Sequence, residues 1–143
     1  MKIAIGADHA AYNEKKQIIN YLNSKGFEII DLGTNSSNSV DYPIFGQKVA
    51  KSIVNNVADR GIVICGTGIG ISIAANRYKG IRATLCTSET HAEMARKHND
   101  SNILALGART TDFDKIKSII DVWLETNFEG GRHQDRIDLI DVI

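Results

Sequence analysis

The stretch ICGTGIGISIAANR, residues 64 to 77, holds a strand end, a glycine-rich turn and the beginning of a helix. The apolar run that leads into it, RGIVIC at residues 60 to 65, is typical of a strand buried on both faces of a sheet. A buried strand that turns through glycines directly into a helix is the repeating unit of a parallel sheet covered by helices. This stretch therefore predicts an α/β fold.

Strand and helix patterns alternate along the rest of the chain. Further apolar runs predict four strands: KIAIGA (2–7), FEIIDLG (27–33), IRATLC (81–86) and ILALGA (103–108). Apolar residues at helical spacing mark the segments between them: Ala11, Ile18, Ile19 and Leu22; Val49, Ile53, Val54 and Val57; Ile116, Ile119, Ile120, Trp123 and Leu124. Alternating apolar strands and helices indicate parallel pairing. We expect a three-layer α/β/α Rossmann-like domain with about five parallel strands.

Length and composition narrow the class of protein. The 143 residues suffice for one domain with a substantial core, and the 17 basic residues balance the 17 acidic ones. A neutral chain offers no global attraction for nucleic acid or an anionic membrane, and no apolar run is long enough to span a bilayer. Two cysteines do not make a disulfide framework, and the N-terminus lacks the pattern of a signal peptide. We expect a cytoplasmic protein with reduced thiols.

The end of the chain carries unusual apolar surface. A glycine pair precedes a predicted short helix over residues 132–143, and its apolar residues are Ile137, Leu139, Ile140, Val142 and Ile143. The simplest way to bury them is against a second copy of the chain. We therefore expect a homo-oligomer with this helix at its interface.

The glycine turn has two possible uses. Gly66, Gly68 and Gly70 leave backbone N–H groups free to face an anion at the start of a helix. The pattern differs from the dinucleotide fingerprint, because Ile71 follows, and from the phosphate loop of nucleotide hydrolases. The alternative is a tight strand-to-helix turn that needs small residues. Spacing alone leaves both interpretations open.

Cys65 directly precedes this turn. A lone cysteine that ends a buried strand is often a small core residue, which is our interpretation of Cys86. Cys65 differs because the N–H groups of the turn and the helix dipole stabilise a thiolate. It is therefore a candidate reactive group.

Other polar residues follow the first and fifth strands, or lie in the second half of the chain. Asp8 and His9 follow the first strand, where Asp8 also suits a helix cap, and Arg109 follows the fifth.

His91 and His98 lie near one face of a helix whose C-terminus favours an imidazolium at His98. Arg132 and Arg136 can project together to grip a phosphate, or pair with nearby carboxylates. No cluster has the spacing of a zinc site.

These segments together resemble a known family. In order along the chain they are GADHAA (6–11), DYP (41–43), CGTGIGISIAANR (65–77), HN (98–99), GAR (107–109) and GGRHQDR (130–136). They are similar to the B-type ribose-5-phosphate isomerases, whose superfamily includes the galactose-6-phosphate isomerase subunits. The resemblance implies a metal-independent enzyme without a cofactor that interconverts ribose 5-phosphate and ribulose 5-phosphate, at a site built between two subunits.

The resemblance also implies roles for individual residues. Cys65 matches the base that removes the proton on C2, and Thr67 the hydroxyl that assists proton movement near O1 and O2. Asp8 and His98 match the groups that open the furanose ring. The loop residues Gly66, Thr67, Gly68, Ile69 and Gly70 match the anion hole for the enediolate. The implied contacts to the sugar and its phosphate are His9, Asn99, Arg109, Arg132 and Arg136.

Some members of the family use an acid further along the loop in place of the cysteine. Here the corresponding stretch, IGIS, has no acid, so the chain resembles the cysteine type. An enediolate needs donors aimed at its oxygens, which glycine N–H groups supply. The loop is therefore expected to hold reacting oxygens and the arginines the phosphate. Two alternatives remain: an isomerase of allose or galactose 6-phosphate, and a non-catalytic module that binds a sugar phosphate or nucleotide.

Overall fold

Five strands and six α-helices follow one another along the chain in the computed structural model, alternating until two helices follow the last strand. The structure describes residues 1–142; Ile143 lies outside the described residues. The strands are β1 (Lys2–Ala7), β2 (Glu28–Asp31), β3 (Arg60–Cys65), β4 (Ala83–Leu85) and β5 (Ile103–Gly107). The helices are α1 (Tyr12–Ser24), α2 (Tyr42–Val54), α3 (Ile69–Ala75), α4 (Glu89–Asn99), α5 (Phe113–Glu125) and α6 (Arg132–Ile137).

The strands form one parallel sheet in the order β2-β1-β3-β5-β4. The three central strands are almost wholly buried, whereas β2 and β4 at the edges are only partly buried. A strand covered on both faces excludes water from every side chain, which explains the unbroken apolar runs of β1, β3 and β5. The predicted α/β class with five parallel strands is confirmed.

The two faces of the sheet carry separate cores. Ile5, Ile64 and Leu106 pack on one side with side chains of α1, α4 and α5, including the fully buried Trp123. Val63 and Ala105 point to the other side, toward α2 and α3. Successive residues of a strand face opposite sides, so one sequence run supplies both cores. The sheet therefore lies between two helical layers.

The free edge of β4 is closed by a side chain. The amide of Asn76, just after α3, donates to the Ala83 carbonyl oxygen at 2.8 Å and accepts from the Ala83 nitrogen at 2.7 Å. These two bonds imitate one residue of a further strand. The sheet ends here with the backbone groups of Ala83 satisfied.

The predicted C-terminal helix over residues 132–143 is too long, because α6 ends at Ile137. Beyond it the Leu139 and Ile140 nitrogens bond to carbonyls three residues back, so the chain tightens into turns. Leu139, Ile140 and Val142 remain 68%, 50% and 69% exposed. Within residues 1–142 these side chains have little apolar surface to pack against, and packing is what sustains so short a helix.

None of the helices described here combines the length and apolarity needed to cross a membrane.

Candidate functional site

The carboxyl ends of β1, β3 and β5 meet at one edge of the sheet. Ala7 pairs with Ile64, and Cys65 pairs with Gly107. Backbone hydrogen bonds continue beyond the strands: the Asp8 nitrogen donates to the Ile64 carbonyl at 3.2 Å, and the Arg109 nitrogen to the Gly66 carbonyl at 2.9 Å. This edge, which we call the carboxyl edge, therefore holds three polar segments in fixed register.

Cys65 is buried at the end of β3, where its sulfur accepts a hydrogen bond from the Gly68 nitrogen at 3.1 Å. Gly68 adopts a left-handed φ of 79°, and a Cβ placed on it would lie 2.8 Å from the Leu106 carbonyl carbon. Only glycine combines that φ with so close an approach to β5. The turn thus aims a backbone donor at the sulfur, and such donors stabilise negative charge there.

The turn is shorter than the sequence indicates. It comprises Gly66, Thr67 and Gly68 only, and Ile69 and Gly70 already belong to the first turn of α3. Gly70 is required by packing, because a Cβ at this position would lie only 2.5 Å from Cζ of the Tyr42 ring. The predicted anion loop from Gly66 to Gly70 is therefore corrected to a three-residue turn followed by helical N–H groups that lack intrahelical partners.

Thr67 is exposed at the tip of this turn, and its hydroxyl oxygen accepts from the Ile69 nitrogen at 3.2 Å. Its carbonyl packs against Gly107 of β5, where an added Cβ would lie 2.6 Å from the oxygen. The backbone of the turn thus packs directly on the end of β5. The Thr67 hydroxyl is therefore exposed at the carboxyl edge.

Asp8 and His9 line the same edge from β1. Asp8 is buried, and its carboxylate accepts from the Ala10 nitrogen at 3.0 Å. The cap predicted for the following helix is thus formed one step earlier, on a 3-10 turn, His9–Ala11, that leads into α1. His9 Nδ1 lies 3.1 Å from the Val40 nitrogen and 3.2 Å from the Val40 carbonyl oxygen. In either tautomer this backbone orients the ring and leaves Nε2 as the atom for a ligand.

Arg109 brings positive charge to the carboxyl edge. Its Cδ and Nη1 lie 3.4 Å and 3.5 Å from the position that a Cβ on Gly66 would occupy. The guanidinium stem therefore crosses the glycine turn closely. An anion held at the turn would lie beside it.

The remaining predicted residues gather at the opposite edge of the sheet. His98 and Asn99 end α4, which leads directly into the start of β5, and the Asn99 carbonyl accepts from Nε of Arg82 just before β4. The His98 ring stacks on His133 of α6 with centroids 4.4 Å apart and an interplanar angle of 16°. Arg132 and Arg136 lie on the same short helix as His133. We call this end the amino edge.

The two edges are separated by the length of the sheet. β3 runs from Gly61, opposite Ile103, to Cys65, opposite Gly107, which spans about 13 Å at the usual rise of a strand. Within residues 1–142 the Cys65 group and the His98 group therefore do not share one cleft.

Cys86 differs from Cys65 in its surroundings. It lies fully buried just after β4, and burial raises the pKa of its thiol to about 12. A thiol with so high a pKa stays protonated and inert. This supports the interpretation of Cys86 as a packing residue.

Sequence reasoning missed two features of the site. Tyr42, in the segment DYP, packs its ring on Gly70 near the turn. Glu129 and His133 lie beside His98, and potential ligand atoms of the three side chains lie within 4.8 Å of one another. The segment GGRHQDR already contained His133, but nothing in the local pattern places it against a helix far away in sequence.

Comparisons with known proteins show the family of this chain. A family model described as Ribose/Galactose Isomerase matches residues 3–140. The chain is 46% identical over 142 residues to the ribose-5-phosphate isomerase B of Escherichia coli, covering 99% of this chain and 95% of the relative.

Two solved structures are similar along nearly the whole chain. Ribose-5-phosphate isomerase B of Clostridium thermocellum superposes with a TM-score of 0.98 at 54% identity, covering 99% of this chain and 95% of that one. The Mycoplasma genitalium enzyme, solved with bound ribulose-5-phosphate, has a TM-score of 0.94 at 44% identity, covering 97% and 93%. The resemblance inferred from the motifs is confirmed: this chain belongs to the ribose/galactose isomerase family.

Proposed function

We propose that the protein is an aldose–ketose isomerase that interconverts ribose 5-phosphate and ribulose 5-phosphate. The observation that carries the proposal is the Cys65 thiol, held at a turn of backbone donors at the carboxyl edge of a chain of this family. The relatives named ribose-5-phosphate isomerase B, and the neighbour with bound ribulose-5-phosphate, support the substrate.

The reaction moves one proton between adjacent carbons. The Cys65 thiolate takes the proton from C2 of the open-chain aldose, and the resulting enediolate receives it back on C1 to give the ketose. The Thr67 hydroxyl carries the proton that must move between O1 and O2. Backbone N–H groups of Gly66 to Gly70 stabilise the negative charge that develops on those oxygens.

The other residues open and hold the sugar. Asp8 and His98 move protons between the ring oxygen and O1 as the furanose opens. Asn99 contacts the sugar. His9, Arg109, Arg132 and Arg136 bind the phosphate, for which planar guanidinium groups are well suited.

This assignment requires two copies of the chain. Cys65 and His98 lie at opposite edges of one sheet, so a site containing both needs the carboxyl edge of one subunit to face the amino edge of its partner. A two-fold dimer satisfies this requirement twice. The exposed Leu139, Ile140 and Val142 supply apolar surface for such an interface.

The test is turnover on ribose 5-phosphate, allose 6-phosphate and galactose 6-phosphate measured side by side. We expect ribose 5-phosphate to give the highest kcat/KM, detected as ketose formation. A higher value for a six-carbon phosphate would reassign the substrate. Binding of all three without ketose formation would favour a non-catalytic module.

A further inference from the structure

A cluster at the amino edge contains three side chains that bind transition metals. His98 comes from the last turn of α4, Glu129 from the loop that follows α5, and His133 from α6. The Glu129 nitrogen donates to the Lys97 carbonyl at 3.1 Å, which ties the loop to the end of α4. The three side chains are thus brought together by the backbone as well as by their own contacts.

The spacing of Glu129 and His133 suits a metal ion better than a hydrogen bond. The carboxylate Oε2 lies 3.4 Å from Nε2 of His133. A charge-assisted hydrogen bond between these groups is normally about 2.7–2.9 Å long. Two ligand atoms on a tetrahedral zinc ion, each about 2.0–2.2 Å from the metal, lie about 3.4 Å apart.

His98 completes the set with a modest movement. Its ring is stacked parallel to His133 at 4.4 Å, and its ligand atom lies within 4.8 Å of the other two. His98 is half-buried, so its ring can turn out of the stack to direct a nitrogen at the same point. Two imidazoles and a carboxylate form a zinc ligand set that leaves a fourth position for water.

Nearby positive charge sets the strength of such a site. Lys97, next to His98, pairs with Glu93. Arg132 and Arg136 lie on α6 beside His133. These positive charges repel a bound zinc ion and lower the affinity of the site for it. We therefore expect the site to fill as the zinc concentration rises and to empty when a chelator is added.

We propose that His98, Glu129 and His133 form a binding site for Zn²⁺ and that zinc bound there inhibits the enzyme. The second clause rests on the proposed function, in which His98 takes part in ring opening. An imidazole that coordinates the metal through its lone pair can no longer accept or pass on a proton there. Zinc binding and ring opening therefore compete for one side chain.

Binding is tested on the full chain, without a histidine tag and stripped of metal. Calorimetric titration with Zn²⁺, and visible absorption of the Co²⁺ form, should both show one metal ion bound per chain. Excess Mg²⁺ should not displace that ion, because Mg²⁺ prefers oxygen ligands to imidazole nitrogens. Glu129→Gln and His133→Ala should each weaken binding at least about tenfold. His133 is buried, so if His133→Ala fails to fold, His98→Ala replaces it.

Two control variants separate this site from other zinc-binding groups. His91→Ala removes an exposed histidine of the same helix, and Cys86→Ser removes a buried thiol that the proposed mechanism does not use; both should bind zinc like the wild type. Zinc affinity that is unchanged in Glu129→Gln and the histidine variants, or lost equally in His91→Ala, would overturn the site.

Inhibition is measured separately from binding. Zinc should slow ketose formation in the wild type and slow Glu129→Gln less, each relative to its own zinc-free rate. Zinc that binds without slowing turnover would refute the inhibition. Absence of turnover without zinc would instead count against the proposed function, and calorimetry would still decide the site.

Discussion

At the scale of single residues, Cys65 makes the sharpest prediction. Cys65→Ala should lower kcat by about two to four orders of magnitude, the usual contribution of a positioned general base. Its KM should change little, because the groups assigned to the phosphate are untouched. Steady-state kinetics measures kcat and KM, and thermal unfolding checks that the variant is folded. A variant with near wild-type kcat would make Cys65 a packing residue, and another group would have to take the proton.

The two cysteines should also differ in reactivity. Iodoacetamide should modify Cys65 and inactivate the enzyme, whereas Cys86, with its pKa raised to about 12 by burial, should stay unmodified in the folded protein. Peptide mass spectrometry after partial inactivation locates the label, and substrate should slow its incorporation. Cys86→Ser should be inactivated at the wild-type rate. Faster labelling of Cys86 would contradict this assignment.

Sequence predicts single residues well where local chemistry determines their position. The cap at Asp8 and the place of Cys65 at a strand end follow from short patterns, and both are observed. Gly70 is different, because its lack of a side chain makes room for Tyr42, which lies in another helix. Such contacts depend on packing between elements, which no local pattern contains.

At the scale of elements, the left-handed turn at Gly68 supports the site. Gly68→Ala should lower both the melting temperature and kcat, because its Cβ would lie 2.8 Å from the Leu106 carbonyl carbon and displace the N–H that faces Cys65. The φ alone costs about 1–3 kcal/mol for a non-glycine residue.

Gly80→Ala is the matched control for this prediction. Gly80 has a similar φ of 85°, but an added Cβ would meet nothing within 4 Å. It should lose stability from the backbone strain and keep its kcat. Equal losses of kcat in both variants would mean that general destabilisation, rather than the turn, reduces activity.

The short helix α6 should act mainly on binding. Arg132→Ala or Arg136→Ala should each weaken substrate binding by about 1.5–3 kcal/mol, the size of a charge-assisted hydrogen bond. The loss should appear largely in KM if the contacts are equal in the ground and transition states. Arg136→Lys keeps the charge but not the planar guanidinium group, so its KM should lie between those of the wild type and Arg136→Ala. Unchanged kinetics in both alanine variants would make these arginines surface residues.

At the scale of the whole molecule, the separation of the two edges predicts complementation. Cys65→Ala and His98→Ala should each be nearly inactive alone. After mixing and subunit exchange, random pairing in a two-fold dimer should restore about a quarter of the wild-type activity, because each mixed dimer has one intact site. Activity of the mixture, with light scattering for the oligomeric state, measures this.

A second pair of variants controls for nonspecific rescue. Cys65→Ala mixed with Thr67→Ala should stay inactive, because both lesions lie at the carboxyl edge and every mixed site contains one of them. Failure of the first pair to recover activity despite exchange, or a fully active monomer, would refute the shared site.

The sheet could be predicted from sequence because its central strands are unbroken apolar runs and the helices between them carry apolar residues at helical spacing. The length of α6 could not, since residues 138–142 continue an apolar pattern although Leu139, Ile140 and Val142 stay largely exposed. The stack of His98 on His133 likewise arises only when α6 packs against α4. The functional roles of the site residues stay predictions until the variants are measured.

The amide of Asn76 has a consequence for aggregation. Parallel sheets can grow when an exposed edge recruits a strand from another molecule, and the short β4 is such an edge. Asn76 occupies both the donor and the acceptor of Ala83, so an incoming strand finds no partner there. Deamidation to aspartate would remove the donated hydrogen bond and set a carboxylate against a carbonyl oxygen. Ageing of this one side chain would therefore weaken the protection of this edge against edge-to-edge polymerisation, although the carboxylate would still accept from the Ala83 nitrogen.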